Sequence, residues 1–300
     1  MKRQIRLATR GSQLAMTQTR QVASLLQEAM PDIALEIITI ATTGDVDRQT
    51  PLAQMGGMGV FAKEIEQALL DDRADIAVHS AKDMPVELPP GLEIGAAPIR
   101  ENPWDALLTR HNVALIDLPQ GAVIGTGSPR RQAMLLRLRP DLQFKELRGN
   151  IETRIAKLQG GEYDGIILAC AALERLGLNE HIGEILQRDL FLPAAAQGII
   201  AVEARSEDEQ VMALLQIIND NKVMAVLQTE RAFLGGLRGG CHMPAGIIAE
   251  VEGDQLLARG VAFAGAEYFT ASGQAVWTDG KLLGQKLGEK LAVQLAQAKA

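Results

Sequence analysis

The sequence predicts an α/β protein with mainly parallel sheets, followed by a smaller α+β domain at the C-terminus. Over roughly the first 200 residues, apolar runs typical of strands alternate with amphipathic runs typical of helices. This alternation indicates βαβ units, in which helices cover both faces of a parallel sheet. From about residue 217, apolar runs are joined by glycine-containing turns, which indicates antiparallel strands.

The individual elements follow from these patterns. In the α/β part, strands are expected at residues 5–9, 35–42, 74–79, 122–127, 143–148 and 164–169. Helices are expected at residues 12–30, 61–73, 129–139 and 151–161, with a further helix ending near Gly177. The C-terminal part is expected to hold a helix at 222–237, strands at 247–252 and 255–264, and a helix at 282–298.

Two polar breaks suggest where the domains meet. Pro98 and Pro103 bracket a charged segment, and residues 206–209 form a second polar stretch. A chain of 300 residues is long enough for two or three domains. We predict a first α/β domain from residues 1–98 with 199–216, a second from 99–198, and a C-terminal α+β domain from 217–300.

The composition argues against two classes of partner. A net charge of −7 and an aromatic content of 3% are atypical of nucleic-acid-binding proteins, which present basic faces and stacking rings. No run approaches the roughly 18 apolar residues needed to span a bilayer, and the N-terminus lacks the apolar core of a signal peptide. We therefore expect a cytoplasmic protein that binds neither nucleic acid nor membranes.

The two cysteines lie in different surroundings. Cys170 lies in an apolar run and is expected in the core. Cys241 follows two glycines and closely precedes Pro244, so it lies on a tight turn that leaves the sulfur accessible to a ligand. A plain loop is the alternative. Because Cys241 and His242 are adjacent, they lack the spacing of metal ligands, and no metal site is expected.

Three predicted helices begin with a capping residue and with arginine close by. Ser12, Ser128 and Asn150 are expected N-caps, and Pro129 is expected at the first helical position. The arginines beside these helix starts are Arg10, Arg130, Arg131, Arg148 and Arg154.

These arginines indicate an anionic ligand. The N-terminus of a helix is the positive end of its dipole, so a cation there is unfavourable unless an anion binds. Surface ion pairs with acidic residues are the alternative for any one arginine. Loops at the carboxyl ends of strands meet at one crevice in open α/β sheets. Three such loops therefore predict a ligand with several negative charges.

The segment HSAKDMP, residues 79–85, places a carboxylate just beyond a predicted strand. Asp83 follows Lys82, and Pro85 stiffens the loop. A carboxylate at this place could stabilise a developing cation or transfer a proton. A surface-exposed Asp–Lys loop is the alternative, and His79 is expected to be structural.

Several segments together resemble the porphobilinogen deaminase, or hydroxymethylbilane synthase, family. They follow the family's order over essentially the whole chain, and they are HSAKDMP, GTGSPRRQAML, LRGNIETRIAKLQGGEYDGIILA, LERLGL, LPAAAQG and ERAFLGGLRGGCHMP. The resemblance implies two α/β domains like those of periplasmic binding proteins and a C-terminal domain that carries the cysteine. We also expect a monomer.

The resemblance implies a transferase of tetrapyrrole biosynthesis. Four porphobilinogen molecules would be condensed stepwise onto an enzyme-bound dipyrromethane, each losing ammonia. Hydrolysis would then release the linear tetrapyrrole hydroxymethylbilane. The partners would be porphobilinogen and the pyrrole-chain intermediates, and the dipyrromethane cofactor would be attached to Cys241 through a thioether.

The resemblance also assigns roles to individual residues. Asp83 would be catalytic, would face the pyrrole nitrogens of the cofactor, and would stabilise a cationic azafulvene-like intermediate. The other residues that would hold the cofactor are Lys82, Ser128, Arg130 and Arg131. The residues that would hold substrate and the growing chain are Arg10, Ser12, Phe61, Thr126, Arg148, Arg154, Arg175 and Gln197. For Arg175, interaction with the C-terminal end of its own helix is the alternative.

Some residues depart from the family pattern. Met58 stands where lysine is usual, Arg238 where glutamate is common, and His242 where glutamine is usual.

Residues 44–59 are expected to form a lid. A non-catalytic two-lobed binding protein for a small polyanionic ligand is the main alternative and predicts a free Cys241. A metal or redox protein that uses Cys241 is a second and weaker alternative.

Overall fold

The computed structural model describes residues 4–46, 59–186, 189, 191–237 and 243–298. The chain forms two compact units, one of Met1–Glu101 with Ile199–Leu227 and one of Asn102–Gly198 with Gln228–Ala300. The C-terminal residues thus group with the second α/β sheet. The three predicted domain boundaries stay a prediction. Cys241 and most of the predicted lid lie outside the described residues, as do Met58, Arg238 and His242.

The first unit contains one five-stranded sheet with helices on both faces. Its elements are β1 (Gln4–Thr9), α1 (Gln13–Ala29), β2 (Ala34–Thr39), α2 (Thr43–Val46), α3 (Lys63–Leu70), β3 (Ile76–Ser80), β4 (Leu92–Ala96), β10 (Ile200–Arg205) and α7 (Glu209–Ile218). The strand order is β2-β1-β3-β10-β4. Leu7 packs with residues of α1 and α7, whereas Ala8 packs with residues of α3. Successive side chains of one strand therefore serve two separate cores.

The second unit contains a second five-stranded sheet and the C-terminal elements. The α/β part comprises β5 (Asp105–Thr109), β6 (Val123–Gly125), α4 (Pro129–Leu138), β7 (Gln143–Lys145), α5 (Ile151–Gln159), β8 (Gly165–Ala169), α6 (Cys170–Leu176) and β9 (Glu184–Ile185). The strand order is β7-β6-β8-β5-β9. The last helix before the C-terminal strands, α8 (Asn221–Gly236), begins in the first unit and ends in the second.

One strand of each five-stranded sheet runs against the other four. β10 is antiparallel to β3 and β4, and β5 is antiparallel to β8 and β9. The other described pairings in both sheets are parallel, which confirms the prediction of mainly parallel sheets. Each reversed strand follows a passage of the chain from one unit to the other. Neither reversed strand is among the strands predicted from the sequence, and periodicity carries no information on strand direction in any case.

The C-terminal part is a three-stranded antiparallel sheet with a closing helix. Its elements are β11 (Ala245–Glu252), β12 (Gln255–Ala264), β13 (Glu267–Val276) and α9 (Gly280–Ala298). The predicted turns are confirmed at Gly253, with φ +59°, and at Gly265, with φ +61°. Ile248 and Phe263 belong to the same hydrophobic core as the second α/β sheet. The predicted fold class, α/β with a small C-terminal α+β part, is confirmed.

Glycines allow α9 to approach α8 closely. A Cβ atom at Gly284 would collide with the backbone carbonyl of Thr229, and one at Gly288 with that of Phe233. Small residues at a contact between two helices let the helix backbones approach more closely than larger side chains would allow. This contact fixes the C-terminal half of α8, the helix that leads towards Cys241.

Candidate active site

The first unit has a pocket where β1 and β3 end. These two strands are parallel neighbours, so the residues that follow them meet at one edge of the sheet. The pocket measures about 420 Å³ including its open mouth. Its lining includes four of the predicted site residues, Arg10, Ser12, Phe61 and Asp83. Lys82, directly before Asp83, is half-buried.

Arg10 lies on the face of an aromatic ring in this pocket. Its guanidinium carbon is 3.9 Å from the centroid of the Phe61 ring, a cation–π contact that orients the planar group. Gly44 packs so closely on the same ring that a Cβ atom there would collide with it. Ser12 is the N-cap of α1 as predicted, since its Oγ accepts a hydrogen bond from Ala15 N at 3.3 Å.

Asp83 ends a single 3₁₀ turn that follows β3 directly. Its backbone carbonyl accepts a hydrogen bond from Gly59 N at 3.0 Å. Among the described residues, the carboxylate of Asp83 makes no hydrogen bond or ion pair. Gly44 and Gly59, the two ends of the predicted lid, therefore contact the pocket residues Phe61 and Asp83.

Buried polar side chains form the floor of the pocket. Gln18 is 2% exposed and its Oε1 accepts a hydrogen bond from Ser80 Oγ at 3.0 Å. Within the described chain its Nε2 has no hydrogen-bond partner, so it can donate to a ligand. His79 Nε2 lies 3.1 Å from Glu203 Oε2, and both side chains are buried. The structure thus places His79 in a buried polar pair, as expected of a structural residue.

In the second unit, two arginines share one aspartate. Arg130 Nη2 donates to Asp105 Oδ2 at 2.6 Å, and Arg131 Nη2 donates to Asp105 Oδ1 at 2.6 Å. Arg130 also donates to the carbonyl of Leu192 at 2.6 Å, and Arg131 to that of Ile167 at 2.9 Å. All three charged side chains are buried, with Asp105 only 1% exposed.

This cluster carries a net positive charge inside the protein. Two guanidinium groups and one carboxylate sum to +2 − 1 = +1. Burial alone would raise the pKa of Asp105, but Arg130 and Arg131 together hold it well below its usual range. Burial lowers the pKa of Arg130, and Asp105 opposes this effect. Among the described residues no second carboxylate pairs with the two arginines, so the cluster favours binding of an anion.

The loop before these arginines presents the start of a helix. Ser128 caps α4, with its Oγ accepting from Arg131 N at 3.4 Å, and Pro129 is the first helical residue as predicted. Thr126 is buried, and its Oγ1 accepts from Ser128 N at 3.2 Å. Gln197 is also buried and donates through Nε2 to Asp105 Oδ1 at 3.0 Å. The structure therefore brings Thr126, Ser128, Arg130, Arg131 and Gln197 together.

The remaining predicted arginines lie on neighbouring elements of this unit. Asn150 caps α5 as predicted, with its Oδ1 accepting from Thr153 N at 3.1 Å. Arg148 precedes this cap, and Arg154 Nε donates to Gly149 O at 2.7 Å. Arg175 Nη2 donates to the carbonyl of Gly198 at 2.8 Å, so part of its donor set holds the backbone beside Gln197.

Comparison with known proteins assigns the chain to a family. The family model "Porphobilinogen deaminase, dipyromethane cofactor binding domain" matches residues 5–213, and "Porphobilinogen deaminase, C-terminal domain" matches residues 224–293. The chain belongs to the porphobilinogen deaminase family. The resemblance inferred from the sequence is thereby confirmed.

Individual relatives of the porphobilinogen deaminase family match over most of the chain. A porphobilinogen deaminase of Syntrophomonas wolfei is 50% identical over 97% of this chain and 96% of its own length. One of Maridesulfovibrio salexigens is 48% identical over 86% of this chain and 84% of its own. Among solved structures, the periplasmic VFT2 domain of Bordetella pertussis BvgS is similar, with a TM-score of 0.44 and 15% identity over 75% of this chain and 92% of that chain.

Neither a membrane-spanning helix nor a metal-binding group is present among the described residues. In that part of the chain, no helix has the length and apolar character to cross a membrane. The same residues contain no group of three or more His, Cys, Asp or Glu side chains that could hold a metal ion.

Sequence reasoning missed two residues of the site. Asp105 was not identified, because it lies 25 and 26 positions before the arginines it binds and only pairing across the sheet reveals the contact. Gln18 lies within the helix predicted at residues 12–30 and is not among the predicted site residues. A polar residue on the apolar face of a predicted helix was the available signal for Gln18. No comparable signal marks Asp105 in the sequence.

We predict that Asp105→Asn destabilises the protein and weakens cofactor loading, because two buried guanidinium groups lose their shared counter-charge. The free energy of unfolding should fall by about 3–5 kcal/mol, as for other broken buried ion pairs. The pKa of Asp105 is lowered in the folded state, so its stabilisation is fully present above the unfolded value of about 3.9 and is lost only in stronger acid. Denaturant unfolding across neutral pH measures the difference.

The matched control is Glu162→Gln. Glu162 Oε2 lies 4.0 Å from Lys145 Nζ in an exposed pair of the same unit. Exposed pairs contribute about 0–1 kcal/mol, so this variant should unfold nearly as the parent does. Equal effects of the two substitutions would contradict the role assigned to Asp105.

Proposed function

We propose that the chain is a transferase that condenses four porphobilinogen molecules and releases hydroxymethylbilane. Membership of the porphobilinogen deaminase family supports this function, since the family models match residues 5–213 and 224–293. The structural observation that carries the proposal is the buried Arg130–Arg131 pair with one shared carboxylate. A non-catalytic binding protein is not favoured, since the matching relatives are porphobilinogen deaminases.

The donor set of the second unit fits the carboxylates of a dipyrromethane. Each pyrrole of that group carries an acetate and a propionate, and the cluster of Asp105, Arg130 and Arg131 has an excess positive charge. The hydroxyl group of Ser128, at the start of α4, adds a neutral donor. We assign cofactor binding to Arg130, Arg131 and Ser128, and, on the resemblance in sequence, to Lys82 and Asp83. Cys241 would form the thioether.

Attached to Cys241, the dipyrromethane would supply the nucleophilic pyrrole carbon to which the first substrate unit is joined. The protein residues would then serve to bind, orient and stabilise charge. Loss of ammonia from the aminomethyl group of porphobilinogen leaves a cation conjugated with the pyrrole nitrogen. The carboxylate of Asp83, which lines the pocket, is suited to stabilise that cation and, when protonated, to donate a proton to the departing amine.

The first-unit pocket supports binding of substrate by its carboxylates and its ring. Arg10 offers a planar guanidinium oriented by Phe61, which suits bidentate pairing with a carboxylate. Ser12 and Gln18 Nε2 add hydrogen-bonding groups. In the second unit we assign substrate and chain binding to Thr126, Arg148, Arg154, Arg175 and Gln197. We further propose a monomer that acts in the cytoplasm.

Cys241 should be covalently occupied in protein that has met porphobilinogen. Intact mass should exceed the sequence mass by two linked pyrrole units, and Ehrlich's reagent should stain the protein. Cys241→Ser should abolish the adduct, whereas Cys170→Ser should keep it, because burial raises the pKa of the Cys170 thiol to about 12 and keeps that thiol unreactive. Full activity of an unmodified protein would refute the proposed function.

Asp83→Asn should slow ammonia release by a factor on the order of 10²–10³, because it removes the fixed negative charge but keeps the side-chain shape. Asp83→Glu should retain more activity, since it moves the charge without removing it. The measurement is single-turnover ammonia release on preassembled holoenzyme. If Asp83→Asn releases ammonia at nearly the parent rate, or faster than Asp83→Glu does, Asp83 has no part in the chemistry.

The arginines should separate by stage of the reaction. Arg131→Leu should impair loading of Cys241, because it dismantles the buried cluster. Arg10→Leu should load normally yet elongate slowly. The free energy of substrate binding should weaken by roughly 2–5 kcal/mol, because the substrate carboxylate is left unpaired. Native mass spectrometry after incubation with porphobilinogen resolves loaded protein from each elongated species. The same distribution of species for both variants would argue against this division of roles.

A further inference from the structure

We propose that Glu230 is a positioning residue for the Arg130–Arg131 pair and acts through the backbone turn at residues 196–198. The inference rests on the proposed function, in which these arginines hold the cofactor. No hydrogen bond among the described residues joins Glu230 to either arginine. Its effect is transmitted through three consecutive sets of hydrogen bonds inside the second unit.

The first set joins Glu230 to two backbone segments. Glu230 lies on α8 and is 0% exposed. Its Oε2 accepts from Ala196 N at 2.6 Å, and its Oε1 accepts from Ala249 N, in β11, at 2.8 Å. Each oxygen therefore serves a different amide. One buried carboxylate therefore joins the segment before Gln197 to β11, the strand that follows Cys241 in the chain.

The second set holds an unfavourable turn in place. Ala196 has φ +61°, a left-handed conformation that an alanine adopts rarely because its Cβ crowds the backbone. Gly198 has φ +88°, so Gln197 is flanked by two left-handed residues. Gln197 N donates to Ala194 O at 3.1 Å, and Arg175 Nη2 holds the Gly198 carbonyl. The bond from Ala196 N to Glu230 compensates for the strain at Ala196.

The third set connects the turn to the arginines. Gln197 Nε2 donates to Asp105 Oδ1 at 3.0 Å and to Pro103 O at 2.7 Å. The same Oδ1 accepts from Arg131 Nη2, so Gln197 helps to fix the orientation of the shared carboxylate. Arg130 touches the same segment directly, through its bond to Leu192 O. A displaced turn would therefore move both guanidinium groups.

A glutamine cannot replace Glu230 in this arrangement. A carboxamide has one acceptor oxygen, and its NH₂ group only donates. In Glu230→Gln one of the two amides, Ala196 N or Ala249 N, would face a donor. A buried N–H without an acceptor is unfavourable, so the turn at Ala196 would shift or open.

The experiment compares variants in folding, turn order and cofactor loading. The variants are Glu230→Gln, Ala196→Gly, the double variant with both changes, and Gln197→Met. Gln216→Met is the matched control, because Gln216 Nε2 also donates to a backbone carbonyl, that of Gly95, at 2.9 Å in the first unit. The measurements are thermal unfolding, amide exchange over residues 194–198 of apoprotein, and the rate at which Cys241 gains mass with porphobilinogen.

Glu230→Gln and Gln197→Met should both slow loading by roughly ten- to a hundredfold, since small misplacements of contact groups have effects of this order. Amide exchange at 194–198 should be faster in Glu230→Gln. Ala196→Gly alone should load as the parent does, and in the double variant it should restore most of the loading rate, because glycine adopts positive φ without strain. Gln216→Met should load normally.

Three results would overturn the inference. The first is normal loading by folded Glu230→Gln, and the second is a double variant no better than Glu230→Gln, which indicates a purely structural role. If Glu230→Gln fails to fold, normal loading by Gln197→Met decides against the inference. Failure of the parent protein to load at all would instead refute the proposed function, so the two failures are distinguishable.

Discussion

The carboxylate of Asp105 is the group on which the candidate cofactor site depends. It holds two buried guanidinium groups at 2.6 Å each and reduces their combined charge without cancelling it. Without it, two like charges would face each other in a medium of low polarity. With it, a net charge of +1 remains, which suits an anionic ligand. Asp105 therefore keeps the arginines in place and leaves them able to bind a carboxylate.

Asp105 reaches this position because β5 runs against its neighbours. In a strand parallel to β8, the first residue would lie at the opposite edge of the sheet. Because the pairing is antiparallel, Asp105 lies beside Ala169, the last residue of β8. It thus lies at the edge where the loop after β6 and the helix α6 begin. One reversed strand in an otherwise parallel sheet supplies the counter-charge that the helix-start arginines need.

The two units provide complementary chemistry. In the first, the carboxylate of Asp83 makes no ion pair with a described residue and lines a pocket beside Arg10 and Phe61. In the second, buried cations exceed the carboxylate that they share. Porphobilinogen carries a basic aminomethyl group as well as two carboxylates, so each unit offers groups that this substrate can pair with.

The sequence by itself determined the α/β class, the three helix caps and the family. Ser12, Ser128 and Asn150 are recognisable because a capping side chain acts on backbone amides two or three residues away. Only the tertiary structure decided which side chains neutralise one another. Asp105 meets its arginines through strand pairing, and Ala196 takes a left-handed conformation at the end of a run of three alanines, a residue type that does not favour it. Local contacts are encoded by spacing along the chain, whereas buried ion pairs and strained turns depend on partners brought together by folding.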